Sequence, residues 1–203
     1  MLAILPAIVL TACAEQGISE FFPLKAGTKW TYLEKAKFDT LEYVDEVKQG
    51  IKIGERYTIP VETRANGKVL ETRHYQIEGD TVLLVAYSSK LLLEPPQPVL
   101  KSANGKVSWT YAGKTPFLGA MVPIELKATV TPKGKRKVLD TDRECIELNM
   151  DAKMYGGAGM TIDFHQVALY AKGVGLVEVK QRQRGAGESS ESSTRLTRFE
   201  PAS

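Results

Sequence analysis

The sequence predicts an all-β domain: a strongly curved antiparallel sheet or partly open β-barrel of about ten to twelve strands in consecutive hairpins. Three observations lead there. Apolar and polar residues alternate with period two through much of the chain after Trp30. Turn residues separate the alternating runs, most clearly at Asn66-Gly67, where two residues that accept positive φ join two such runs as in a type I′ hairpin. No segment shows a sustained 3.6-residue apolar period with helix caps.

The first strand is expected from Trp30, with Trp30, Tyr32, Glu34, Ala36 and Phe38 on one face and Thr31, Leu33, Lys35 and Lys37 on the other. Leu41, Tyr43 and Val47 carry a second strand, and Gly50 and Gly54 mark turns. Tyr57, Ile59, Val61 and Thr63 share a face of the next strand; Val69, Glu71, Arg73, Tyr75 and Ile77 return beyond Asn66-Gly67. Residues 81–87 form a denser apolar strand.

Then comes Leu91-Leu92-Leu93-Glu94-Pro95-Pro96-Gln97-Pro98. Three prolines so close do not suit a sheet interior, so this stretch is expected to cross between two halves, with Leu91–Leu93 plugging one end of the core. The opening pattern then returns. Leu24-Lys25 and a Gly turn precede Trp30-Thr31-Tyr32, and Leu100-Lys101 and a Gly turn precede Trp109-Thr110-Tyr111, which suggests two pseudo-repeated halves.

Residues 113–122 read as a loop. Ile124, Leu126, Ala128 and Val130 alternate with Glu125, Lys127, Thr129 and Thr131 as a half-buried strand, and Pro132-Lys133-Gly134-Lys135-Arg136-Lys137 reads as a basic hairpin tip. Ile146, Leu148 and Met150 share a face of the returning strand. Residues 154–161 contain three glycines but lack the Lys-Ser/Thr of a phosphate loop, and are read as a hairpin loop. Met160, Ile162, Phe164, Ala168 and Tyr170 lead through a strand to a tight turn at Gly173-Val174-Gly175, and residues 194–199 form the last strand after a loop at 185–193.

The chain has 203 residues, 43% of them hydrophobic and 25% charged, which is enough for one sizeable core. A net charge of +3, without a basic stripe interleaved with aromatics, gives no support for a nucleic-acid partner.

Location is written at the start. Residues 1–12 are apolar and uncharged, run to about half the ~20 residues of a spanning helix, contain Pro6, and end in Leu10-Thr11-Ala12-Cys13. Small residues before a cysteine, with polar sequence directly after it, form the pattern of a bacterial lipoprotein signal. The expected organisation is a signal segment at 1–12, a tether at 13–20 lipidated on Cys13, and a single β domain at 21–203. The anchor would place the domain outside the cytoplasm on a membrane of the cell envelope. With Ala14 after the cysteine, that is the outer membrane where two membranes are present.

The chain has two cysteines. A disulfide between Cys13 and Cys145 and acylation of Cys13 are alternatives; in the second case Cys145 is a lone thiol, expected to be buried and inert. The two histidines, His74 and His165, lie on separate strands, and no cluster has metal-ligand spacing. The one catalytic alternative is a hydrolase in which Asp163 orients His165 on the same strand face, but no serine sits in a nucleophile elbow.

The chain resembles a group of uncharacterised bacterial secreted lipoproteins. The resemblance rests on the lipobox, on Phe22-Pro23-Leu24-Lys25-Ala26-Gly27-Thr28-Lys29-Trp30-Thr31-Tyr32, and on Tyr170-Ala171-Lys172-Gly173-Val174-Gly175-Leu176-Val177. It implies a curved antiparallel sheet akin to the half-barrels of periplasmic lipoprotein carriers, and brings no catalytic residues. The expected function is therefore noncatalytic, without cofactor or metal: binding of an apolar or amphipathic ligand by Trp30, Tyr32, Trp109, Tyr111, Phe164 and Tyr170, or of an envelope partner protein. The alternative is an assembly lipoprotein that docks by a sheet edge or by residues 91–98.

Overall fold

A computed structural model describes residues 17–101, 104–117, 119–156, 159–185 and 188–203. The signal segment and Cys13 lie outside the described residues. Thirteen strands follow one short 3-10 turn, Ile18–Glu20. They are β1 (Lys29–Ala36), β2 (Thr40–Val47), β3 (Ile51–Ile53), β4 (Arg56–Ala65), β5 (Lys68–Glu78), β6 (Thr81–Ala86), β7 (Leu92–Lys101), β8 (Val107–Phe117), β9 (Ala120–Val138), β10 (Thr141–Tyr155), β11 (Thr161–Ala171), β12 (Gly175–Gly185) and β13 (Glu188–Glu200).

Twelve of them form one antiparallel sheet in the order β7-β6-β5-β4-β2-β1-β13-β12-β11-β10-β9-β8, with β3 paired to β4 off this path. The sheet curls into a nearly closed barrel with one unsealed seam, between β7 and β8. Its topology divides into two six-stranded meanders, β1 to β7 without β3, and β8 to β13. The first strand of one meander zips to the last of the other at β1–β13, from Lys29↔Glu200 to Ala36↔Ser192. The corresponding junction, β7 with β8, is the seam. The prolines explain the difference, because Pro95, Pro96 and Pro98 have no N–H to donate. Side chains strap the seam instead: the Tyr111 hydroxyl donates to the Pro95 carbonyl at 2.8 Å, and the Lys101 ammonium lies 5.9 Å from the Trp109 ring centroid.

The strand alternation holds, and four boundaries differ from expectation. Residues 91–98 do not cross between halves; most of them belong to the edge strand β7, where Leu93 is buried while Leu91 and Leu92 are exposed. Most of the expected loop at 113–122 is strand, since β8 runs to Phe117 and β9 starts at Ala120. The basic stretch 132–137 is not a hairpin tip. β9 runs on to Val138, Gly134 takes positive φ beside a register shift, and the chain turns at Leu139-Asp140, both at positive φ. The last strand starts at Glu188, well before residue 194.

One end of the barrel is closed by an apolar plug. Ile18 and Phe21 are buried in the main core. The plug holds the β11–β12 turn: the Gly173 amide donates to the Glu20 carbonyl at 2.7 Å, and the Lys172 ammonium lies 3.1 Å from the Glu20 carboxylate. The Trp30 indole donates to the Val174 carbonyl at 2.5 Å, and the Tyr32 hydroxyl to the Leu176 carbonyl at 3.1 Å. Gly175, at φ +99°, fits where a Cβ would come 3.3 Å from Pro23 Cδ and 3.3 Å from the indole nitrogen. The two motifs Phe22–Tyr32 and Tyr170–Val177 that carry the lipoprotein resemblance thus touch each other, as turns and packing do.

His74 is buried outside this core, opposite Pro60 of β4, with Nδ1 3.4 Å from the Thr58 hydroxyl. Burial pushes its imidazole below the ordinary value.

Two predictions follow from this packing. Gly175→Ala is expected to cost about 2 kcal/mol, more than Gly54→Ala, because both positions have positive φ but only Gly175 is also crowded; urea midpoints compare the two. Since the His74 value is depressed on folding, the unfolded chain takes up more protons on acidification. Stability should be complete above the unfolded value of about 6.5 and fall as pH drops through it, with a slope of at most about 1.4 kcal/mol per pH unit. His74→Gln should flatten that part of the profile, read from denaturation at pH 7.5 and 5.0.

Candidate functional site: the barrel interior

Beyond the plug the barrel is not filled. A cavity of about 560 Å³ occupies its interior, within the range of small-molecule sites. Inward-facing rows supply its walls: Trp30, Tyr32 and Glu34 from β1, Tyr43 and Asp45 from β2, Glu71, Arg73 and Tyr75 from β5, and Phe164, Gln166 and Tyr170 from β11. Gln97 and Val99 of β7, Thr115 of β8, and Gln181 and Gln183 of β12 add polar groups and wall.

A partly buried ionic network, with Asp45 its most buried charge, lies in this wall. Register places Trp30 opposite Asp45, Asp45 opposite Thr63, and Thr63 opposite Glu71. The Thr63 hydroxyl donates to Asp45 Oδ1 at 2.5 Å, and Arg73 Nη2 donates to Asp45 Oδ2 at 3.0 Å and to Thr63 Oγ1 at 3.2 Å. Arg73 Nε lies 3.0 Å from Glu71 Oε1, although its N–H is not aimed well enough for a hydrogen bond. Burial works against the guanidinium charge, yet Tyr75, Asp45 and Glu71 hold its proton more tightly than usual. Burial and then Asp45 push the Tyr32 hydroxyl well above the ordinary phenol range and Tyr43 up to about 12. Burial pushes Tyr170 up to about 12 as well. These tyrosines are neutral donors over any physiological pH.

Of the six ligand-binding residues expected from sequence, Trp30, Tyr32, Phe164 and Tyr170 line the cavity. Trp109 and Tyr111 are not among its lining residues: both are buried at the seam, where Tyr111 straps β8 to β7. The sequence reading missed Asp45, Arg73 and Gln97. A signal for two of them was present. Asp45 is in phase with Tyr43 and Val47, and Arg73 with Tyr75 and Ile77, so each is a charge on an otherwise inward face.

His165 and Asp163 lie on the outer face of β11, beside a second concavity of about 790 Å³. Asp163 does not orient His165. The imidazole Nδ1 is 2.7 Å from Asp151 of β10, directly across the ladder, while Asp163 lies 3.8 Å from the Lys153 ammonium. Cross-strand neighbours run Lys127, Asp151, His165, Arg182, Glu191 over this face, a row in which Lys127–Asp151 and Arg182–Glu191 set opposite charges side by side as on an exposed sheet surface. Cys145 is a free, buried thiol, its pKa pushed up by burial, so little of it is thiolate. Among the described residues no group of three or more His, Cys, Asp or Glu could hold a metal ion.

No family model matches the chain, and no curated protein matches it. Solved structures do. A putative lipoprotein from Parabacteroides distasonis is similar over 89% of this chain and 98% of its own, with TM-score 0.51 and 13% identity. A putative exported protein with YmcC-like fold from Bacteroides fragilis has TM-score 0.46 and 12% identity, over 87% and 97% of the two chains. The hypothetical lipoprotein YmcC from Escherichia coli has TM-score 0.38 and 10% identity, over 93% and 92%. The first of these is a likeness of fold and agrees with the curved antiparallel barrel.

The Asp45–Arg73 pair gives a direct test of the wall. Arg73→Met leaves a mostly buried carboxylate with only Thr63 for support and should cost about 3 kcal/mol. Adding Asp45→Asn should recover more than half of that loss, as measured by a double-mutant cycle of urea midpoints.

Proposed function

We propose that the protein is a noncatalytic, lipid-anchored component of the bacterial cell envelope, held outside the cytoplasm through Cys13, whose barrel interior binds an apolar or amphipathic small molecule. The single observation that carries the binding half is the interior cavity. Side chains can just fill a barrel of about eight strands; this one has twelve and keeps about 560 Å³ open behind an apolar plug, with aromatic rings and polar groups lining the space. Leu10-Thr11-Ala12-Cys13 supports the anchoring half, and the fold shared with a putative lipoprotein agrees with it.

A second reading is favoured by the seam. Among the described residues β7 and β8 each leave one edge without a strand partner, and Leu91 and Leu92 are exposed beside it, so an envelope protein that adds a strand there is the alternative occupant.

Intact-mass analysis of the protein isolated from its native envelope should show residues 1–12 removed and a diacylglyceryl group on Cys13; a retained first segment with a bare thiol would remove the anchor. A lipid extract of the same preparation should release a small molecule at near-stoichiometric amount. If instead the extract is empty and crosslinking in cells recovers one reproducible partner through β7, the docking reading takes its place.

A further inference from the structure

The polar half of the cavity has an unequal charge inventory. Among the described residues, Glu34, Asp45 and Glu71 line it against the single cation Arg73. That cation is already engaged by Asp45, Thr63 and Glu71. An anionic headgroup would find no free positive charge here and would be desolvated beside carboxylates. A cationic headgroup meets the opposite: surplus negative charge, and the ring faces of buried tyrosines, which attract cations electrostatically.

An independent observation points the same way. Gln97 is 8% exposed, lines this cavity from β7, and its buried Oε1 has no hydrogen-bond partner among the described residues. A buried amide oxygen left without a donor is rare in a folded protein and marks a place where a donor is missing. A carboxylate head cannot supply one; an ammonium head has up to three N–H groups. Val99, Met150 and Phe164 offer an apolar wall to the remainder of the molecule.

From these contacts we infer that the occupant of the cavity is an amphiphile with a protonated amine head, held by the surplus carboxylates and by Gln97, with its apolar portion against Val99, Met150 and Phe164. The inference rests on the proposed function of the cavity as a ligand site and specifies the class of ligand.

Three water-soluble probes with one tail separate the two claims: octylammonium, octanol and octanoate, titrated into the full-length protein at moderate ionic strength. Trp30 lines the cavity, so its fluorescence reports occupancy, read in a Trp109→Phe background. Octylammonium is expected to bind at least tenfold more tightly than octanol, with octanoate weaker again. Glu34→Gln, a substitution outside the Asp45–Arg73 network, should reduce the preference for octylammonium over octanol severalfold while octanol affinity stays within twofold. Equal affinities for all three probes, or a preference for octanoate, overturn the amine head and leave the cavity as an apolar site. Failure of all three to bind a folded protein overturns the ligand reading itself, and the amine inference with it.

Discussion

The contact between the Trp30 indole and the backbone at Val174-Gly175 fixes the geometry of the closed end, and much else follows from it. The indole is an apolar plate with a single donor. Its donor is used on the Val174 carbonyl, and its plate is met by a glycine whose missing side chain allows the approach. Tyr32, two residues on and on the same face, repeats the bond one step along at Leu176. β1 is thereby tied to the start of β12 as well as to its ladder partners β2 and β13. The 3-10 turn Ile18–Glu20 completes the plug by accepting the Gly173 amide.

The seam shows the same economy in the sheet. By topology the β7–β8 junction is the counterpart of the fully zipped β1–β13 junction. Prolines remove donors from β7 at the place where a ladder would form. What replaces the ladder is a phenol bond from Tyr111 and a lysine over Trp109, contacts that can be broken without exposing a row of backbone groups inside the barrel. Consequently the wall of the cavity includes the seam, with Gln97 and Val99 on β7 and Thr115 on β8, strands that side-chain contacts join among the described residues.

Much of the fold was legible in the sequence because period-two alternation depends only on the pleat, and the pleat is local. Trp30, Tyr32, Phe164 and Tyr170 were placed on inward faces by that rule, and they line the cavity. Strand ends were less legible. Residues 132–137 carry so many charges that they read as a tip, yet their ladder with β10 keeps charged side chains on the outside and bulges at Gly134. Trp109 and Tyr111 have the same local pattern as Trp30 and Tyr32, but their surroundings are set by the seam, which is a long-range consequence of Pro95, Pro96 and Pro98. His165 illustrates the same limit. A partner two residues away on its own strand was visible in the sequence, whereas Asp151, the one that bonds, is brought across by register.

The polar network raises the question of why a half-buried guanidinium and its carboxylates are kept at all. Stability does not require them, since burying charges costs about as much as their attraction returns, and apolar side chains of similar volume do as well or better. The same barrel shows this alternative at its plugged end, where Val47, Val82, Leu100, Val130 and Ile146 fill the interior without polar atoms. In the cavity, Glu34 and Gln97 are not part of the Arg73 network, and the Gln97 acceptor has no donor among the described residues. A set of polar groups that served only to satisfy one another would leave no such remainder. Gln97 and the surplus carboxylates line the same open volume, so the polarity of this end is explained by what enters the barrel more readily than by what holds it together.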